Sequence, residues 1–249
     1  MFFSNFKSKD KRPKGEKYME QEEKWKTAAI SMASDLKVQT FGGAEKVTHT
    51  VEDMEKVQTI INDWNAMSKK SANLTIEQYG SPNEAIPSRL IWYNNGPWKR
   101  TIVYRDEIPH DFPQPHTDVI EQAINYNVPQ EMFNELAKFD GSIIVEKTRG
   151  EVSSRCDMEA ANFTAINLMH DICTGKLNAE KGRELLCDVM SAHMMNRPAP
   201  YAEKLQFDVS TEENYDTDIV MIADEMVEQA IEKVNDSVNS NNTQDTHYH

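Results

Sequence analysis

The length and composition of the chain allow one substantial folded domain with polar extensions. With 249 residues, 39% of them hydrophobic, the chain has enough apolar surface for a single core. The formal net charge of −14 argues against nucleic acid as the main partner, because phosphate contacts require a basic face. No run of about eighteen apolar residues is present, so no membrane span is predicted and the cytoplasm is the expected location.

Residues 1–20 form a basic extension for which we predict disorder. They carry six lysines and arginines against three acids, together with three phenylalanines near the start. Apolar insertion combined with charge attraction would give weak contact with an anionic membrane surface. The favoured interpretation is a solvated tail. Residues 21–44 follow as an amphipathic helix and linker, because apolar residues recur near a spacing of 3.6.

Residues 45–207 are predicted to form a globular domain of the α+β class. Its first helix is expected from Val51 to Met67, followed by a helical turn at 75–79. A strand-rich middle predicts an antiparallel meander that packs against helices. The predicted strands cover residues 90–93, 98–104, 119–128, 142–146 and 151–154. The later helices are predicted at 129–138, 154–174 and 179–195, and the middle one of these begins at an apparent capping box, Ser154–Asp157.

One candidate binding surface is a cluster of aromatic and arginine side chains around the turn at Gly96. The cluster consists of Trp92, Tyr93, Trp98 and Arg100. Exposed aromatics beside an arginine are typical of a binding hot spot for a protein or a flat ligand. The alternative is that the tryptophans pack inside the core. Arg149 and Arg155 flank the last strand, where they would either attract an anion or pair with neighbouring acids.

A second candidate site is the proline-rich segment 108–118, which contains two histidines. Prolines stiffen the segment, so its imidazoles and a carboxylate from Asp111, Asp118 or Glu121 are candidate ligands for a divalent metal. The predicted metal ligands are His110, His116, Glu121 and His170, the last of which would join through the fold. The spacing matches no established signature, and the alternative is a rigid loop whose histidines cap backbone groups. Cys156, Cys173 and Cys187 are predicted to be reduced core thiols.

Residues 208–249 form an acidic extension with eleven acids and one lysine. Within it, the apolar residues of 218–238 fall on one helical stripe, which predicts a helix that packs against its own domain, a second copy or another protein. Residues 208–217 before this helix form an acidic linker, and residues 239–249 after it are predicted to be disordered.

Two functional classes follow from these patterns. The favoured one is a non-enzymatic cytoplasmic interaction protein, whose α+β domain binds a protein or small ligand and whose C-terminal helix mediates self-association or tethering. The alternative is a divalent-metal-binding domain or metal-dependent enzyme that uses the segment from His110 to His116. The sequence has no nucleophile elbow and no phosphate-binding loop, so no catalytic residue is assigned and no cofactor beyond a divalent metal is expected.

Overall fold

The computed structural model describes residues 21–43, 45–211, 215, 216, 218, 219, 221, 228 and 232. The chain divides into two compact units, one formed by residues 1–46 with 219–249 and the other by residues 47–218. The predicted basic tail, residues 1–20, lies outside the described residues, and so does most of the predicted helix at 218–238. Within the described part of the chain, no helix combines the length and the apolar character that a membrane crossing needs.

The first unit contains helix α1, which spans Gln21–Phe41 where a helix was predicted. Its apolar residues are less well gathered on one face than the sequence pattern suggested. At 100° per residue, Ile30 and Phe41 lie on the side opposite to Trp25 and Leu36, and both are exposed. The expectation of an amphipathic helix is therefore corrected.

The second unit contains a six-stranded antiparallel sheet with helices, which confirms the α+β class. The strands are β1 (Glu84–Ile86), β2 (Arg89–Asn95), β3 (Trp98–His110), β4 (His116–Asn125), β5 (Ile143–Glu146) and β6 (Glu151–Cys156). Their order in the sheet is β1-β2-β3-β4-β6-β5. The predicted strands correspond to β2, β3, β4, β5 and β6, and β1, which was not predicted, pairs with β2 at one edge. The hairpin of β5 and β6 continues the sheet on the other side because β6 pairs with β4.

Six described helices belong to this unit. They are α2 (Met54–Asn62), α3 (Ala66–Tyr79), α4 (Phe133–Phe139, after a 3₁₀ turn at Gln130–Met132), α5 (Glu159–Cys173), α6 (Ala179–Met194) and α7 (Pro200–Glu203). The single helix predicted from Val51 to Met67 is wrong. The helix ends before Trp64, whose buried indole donates to the Pro87 carbonyl at 3.1 Å. Asn65 then adopts an extended conformation as the N-cap residue of α3, so a second helix begins after it.

Two hydrophobic clusters hold the helices to the sheet. One joins α2 and α3 to the β1–β2–β3 side of the sheet, with Ile61, Leu90 and Val103 fully buried. The other surrounds α5, whose buried side chains contact the sheet as well as α4, α6 and α7. Since α5 is enclosed on several sides, its first turn and the adjoining end of β6 are firmly positioned.

The predicted capping box at Ser154 is also wrong. Ser154 lies within β6, where it pairs with Gln122 of β4 and with Ile143 of β5. A residue with a hydrogen-bonded strand on each side remains extended, so β6 continues to Cys156. Helix α5 begins at Glu159, with Met158 as its extended N-cap residue.

Candidate metal centre

His110 and His116 face each other across the end of the hairpin formed by β3 and β4. His110 is the last residue of β3, His116 is the first of β4, and the two are direct cross-strand partners. Their ring centroids are 4.9 Å apart. The sequence placed both histidines in a stiff loop, and this is corrected: the connecting loop is only residues 111–115.

Asp118 completes a group of three potential ligands. It lies two residues after His116 on β4, so both side chains point to the same face of the sheet. Oδ1 of Asp118 is 3.2 Å from Nε2 of His116 and 3.5 Å from Nδ1 of His110. One ligand atom from each residue can be chosen so that all three lie within 4.8 Å of one another, the one such group among the described residues.

Neighbouring polar groups fix the orientation of these side chains. Nδ1 of His116 lies 2.8 Å from the carbonyl oxygen of Gln114, and because a carbonyl can only accept, Nδ1 carries the proton. The Ser142 hydroxyl donates a short hydrogen bond to Oδ2 of Asp118. Oδ1 of Asp140 lies 3.8 Å from Nε2 of His110, the ring nitrogen farther from Asp118.

The electrostatics of the group are dominated by burial and by the carboxylate of Asp118. The hydrogen bond with Asp118, followed by that with Cys156, raises the pKa of His116 to about 11. Burial raises the pKa of Asp118, but His116 and Ser142 outweigh it and the net shift is downward. Burial raises the pKa of the Cys156 thiol, whose Sγ is 3.4 Å from Nε2 of His116. Burial likewise raises the pKa of Asp140.

Asp118 has an unsatisfied oxygen. Its side chain is 6% exposed, and Oδ1 accepts no hydrogen bond of acceptable geometry. Buried carboxylate oxygens usually have a partner, because leaving one without a hydrogen bond costs about 1–3 kcal/mol or more. The arrangement thus directs an anionic oxygen and imidazole nitrogens to one point, where the contacts of Oδ1 are the ion pairs with the two histidines.

His110 and His116 line a cavity of about 130 Å³ between the hairpin end and helices α5 and α6, and Asp118 lies next to them outside its lining. Cys156 also lines the cavity, and the helices contribute mainly apolar side chains together with Ser191. Convergent polar groups at one end of an apolar cavity are the usual composition of a small-molecule site.

The other two predicted metal ligands lie elsewhere. Glu121 is three residues from Asp118 on the same strand and so points to the opposite face of the sheet. There it accepts hydrogen bonds from Tyr104, Ser153 and Arg155 at 2.7–2.8 Å. His170 lies on α5, stacked on Phe207 at 4.1 Å between ring centroids. Of the four predicted ligands, the structure brings together His110 and His116, and the carboxylate beside them is Asp118, which the sequence offered as an alternative to Glu121.

The tryptophans of the predicted aromatic cluster are part of the core. Trp92 is 2% exposed and Trp98 is 1% exposed, so they do not form an exposed patch. The indole of Trp92 donates to the Gly80 carbonyl at 3.0 Å, and that of Trp98 donates to Glu159 at 2.6 Å. Tyr93 is partly buried and donates to Glu84 at 3.0 Å. The alternative interpretation of these tryptophans as core residues agrees with this burial.

The predicted arginines each contact an acid. Arg100 donates to Glu151 at 3.0 Å, and Arg149 lies 3.6 Å from both Glu146 and Glu151. Arg155 pairs with Glu121 and stacks over the ring of Tyr104. These pairs agree with the alternative of local ion pairing, and a ligand-binding role for the aromatic and arginine residues stays a prediction. The partner-binding role of 218–238 and membrane contact by 1–20 also stay predictions, since these ranges lie largely or wholly outside the described residues.

Asp118 and Cys156 both contact His116, although neither is among the predicted metal ligands. The signal for Asp118 was its spacing of two from His116, which puts both on one face once the segment is recognised as a strand. Cys156 was assigned to a helix start, whereas it ends β6 opposite Ile120. Asp140 and Ser142 are separated from the histidines by the chain between β4 and β5, and no spacing rule connects them.

Comparison with known proteins gives no relative. No family model matches the chain, and no curated protein or solved structure matches it significantly.

Proposed function

We propose that this protein is a divalent-metal-binding domain whose ligands are His110, His116 and Asp118. The observation that carries the proposal is the arrangement around Oδ1 of Asp118. Nδ1 of His116 donates to the Gln114 carbonyl, so Nε2, which lies 3.2 Å from a buried carboxylate oxygen, is the ring nitrogen available to a metal. The carboxylate raises the pKa of His116 to about 11, so Nε2 holds a proton towards this oxygen, and a divalent cation can replace that proton.

The spacing of the ligand atoms is compatible with a bound metal ion. Oδ1 of Asp118 receives no hydrogen bond of good geometry and is held by the ion pair with His116, so it remains available as a ligand. Two ligands that are each about 2.0–2.1 Å from a tetrahedral zinc ion lie about 3.4 Å apart. The separations from Oδ1 to Nε2 of His116 and Nδ1 of His110, 3.2 and 3.5 Å, are close to this value. A metal at Nδ1 of His110 would replace the proton that this nitrogen directs to the Ser142 hydroxyl, 3.3 Å away.

The surrounding hydrogen bonds also suit a metal site. Ligating histidines commonly donate their second N–H to a carbonyl or a carboxylate, and ligating carboxylates are themselves hydrogen-bonded. The Gln114 carbonyl and the Ser142 hydroxyl occupy these positions around His116 and Asp118. Asp140 lies 3.8 Å from Nε2 of His110, at ion-pair distance. Two imidazoles and a carboxylate favour zinc or iron(II), and three protein ligands leave a coordination position for another molecule. The three cysteines are free, in keeping with the cytoplasm that we propose as the location.

The test is metal binding by the full-length protein and two matched variants. Metal is quantified after purification without chelator, and zinc affinity is measured by competition with a chromophoric chelator. We expect about one ion per chain, an affinity loss of at least about 100-fold for Asp118→Asn and an unchanged affinity for His170→Gln. Circular dichroism checks that both variants fold. Wild-type protein that binds zinc no better than Asp118→Asn would falsify the proposal.

A further inference from the structure

The cavity beside the three ligands has a composition that specifies its occupant. Ala161 and Ala165, four residues apart, present small side chains from α5, and Leu186, Met190 and Met194 line the cavity at the same spacing on α6. The two alanines leave volume where larger residues would fill it. The thioethers of the two methionines make an adaptable apolar wall.

The polar and apolar parts of the cavity are segregated. The histidines and Cys156 come from the sheet end, with Phe112 and Pro113 beside them, whereas the residues of α5 and α6 are mainly apolar except for Ser191. Arg155 reaches the cavity too, but its guanidinium is paired with Glu121 at 2.8 Å. A ligand therefore meets donor atoms mainly at the sheet end and apolar contact mainly from the two helices.

The size of the cavity supports an organic ligand. One water molecule requires about 10–15 Å³ of such cavity volume. The cavity of about 130 Å³ has room for considerably more than a metal-bound water. Met194 is 63% exposed at the edge of the cavity, which gives a way in from solvent.

We infer that the open coordination position takes a small, mainly aliphatic molecule with one terminal metal-binding group, such as a carboxylate or hydroxamate. This inference rests on the proposed metal centre. The terminal group binds the metal between His110, His116 and Asp118, and the aliphatic chain lies against Ala161, Ala165 and the α6 residues. Longer chains bind more tightly until the cavity is filled.

The experiment uses full-length protein loaded with cobalt(II), whose visible spectrum reports both metal binding and a new ligand on the metal. Acetohydroxamate, butanohydroxamate and hexanohydroxamate are titrated in turn. We expect affinity to rise by up to about fourfold per added methylene. Ala161→Leu, which fills the cavity, should abolish this rise while the cobalt spectrum remains.

Two neighbouring methionines on α6 provide a second test that does not depend on the Ala161→Leu variant. Met194 and Met195 are 63% and 62% exposed, but of the two only Met194 contributes to the cavity. Met194→Ala is expected to weaken hexanohydroxamate by about threefold and leave acetohydroxamate unchanged, whereas Met195→Ala changes neither. Cobalt binding with an affinity independent of chain length overturns the ligand class and leaves the metal centre in place. Absence of a bound-cobalt spectrum overturns the metal centre as well.

Discussion

Trp98 and Glu159 are joined by a hydrogen bond of 2.6 Å from the indole Nε1 to the carboxylate Oε1, which ties β3 to the first turn of α5. The carboxylate also receives hydrogen bonds from Gln78, Tyr79 and Gln122 at 2.6–2.7 Å. Four donors from three elements thus converge on one acid at the start of the central helix. This network holds in place the helix that forms part of the cavity wall.

Glu159→Ala is expected to lower the free energy of unfolding by about 2–3 kcal/mol, because several part-buried donors lose their common acceptor. Urea denaturation monitored by circular dichroism measures the change. Glu77→Ala, at an exposed position on α3, is the control and should change stability little. Equal stabilities of the two variants would show that the network contributes nothing beyond a surface contact.

A side chain at position 182 on α6 is expected to lower the free energy of unfolding, because the space beside Gly182 is already filled. A Cβ there would lie 2.9 Å from Ile172 and 3.0 Å from the ring of Phe139. Alanine favours a helix by up to about 1 kcal/mol over glycine, but overpacking costs about 1–3 kcal/mol. We expect Gly182→Ala to destabilise by about 1 kcal/mol. Gly141→Ala, where nothing lies within 4 Å, should be neutral or slightly stabilising in the same thermal unfolding assay.

The strands and the helix-rich ends of the domain could be predicted because they depend on local composition. Ile91–Tyr93 and Ile143–Val145 are β-branched or aromatic runs, and Gly96 marks the turn between two strands. The break at Trp64 could not be predicted from the apolar stripe, because it depends on a long-range bond to Pro87.

The candidate centre was only half predictable for the same reason. The prolines between His110 and His116 favour a loop, yet they occupy the end of a hairpin, where strand pairing tolerates them. Once those histidines are on strands, period two selects Asp118 and excludes Glu121. His170 packs against Tyr126 and Phe207, which are distant in the sequence. The spacing of residues along the chain could therefore not predict its position.

Asn167, which is 2% exposed, fixes the chain that follows α7 against α5. Its amide donates to the carbonyls of Tyr201 and Lys204 at 3.0 and 2.8 Å, and its oxygen accepts from the Gln206 N–H at 2.7 Å. Asn167→Ala leaves buried backbone groups unpaired, and we expect a loss of about 2–3 kcal/mol. Trypsin cleavage after Lys204 should become faster in native buffer, whereas the exposed control Asn127→Ala should leave it unchanged. Unaltered cleavage would show that Asn167 does not hold this segment.

The ion pair between Glu121 and Arg155 makes the free energy of unfolding depend on pH. Burial raises the pKa of Glu121, but the Tyr104 hydrogen bond and Arg155 outweigh it, so the folded-state pKa lies below the usual 4.5. As pH falls, the unfolded chain therefore binds this proton first, and the stabilisation present above about pH 4.5 is lost as pH falls through the folded-state pKa.

Glu121→Gln removes this titration. The variant should be less stable than wild type near neutral pH, because Arg155 loses its charged partner, and it should lose less stability between about pH 5 and about pH 3. Urea unfolding at these pH values gives both differences. Zinc affinity, measured in parallel, should be unchanged, because Glu121 faces away from His116 and Asp118. An identical pH dependence in variant and wild type would contradict the lowered pKa, and a loss of zinc binding would place Glu121 in the metal centre after all.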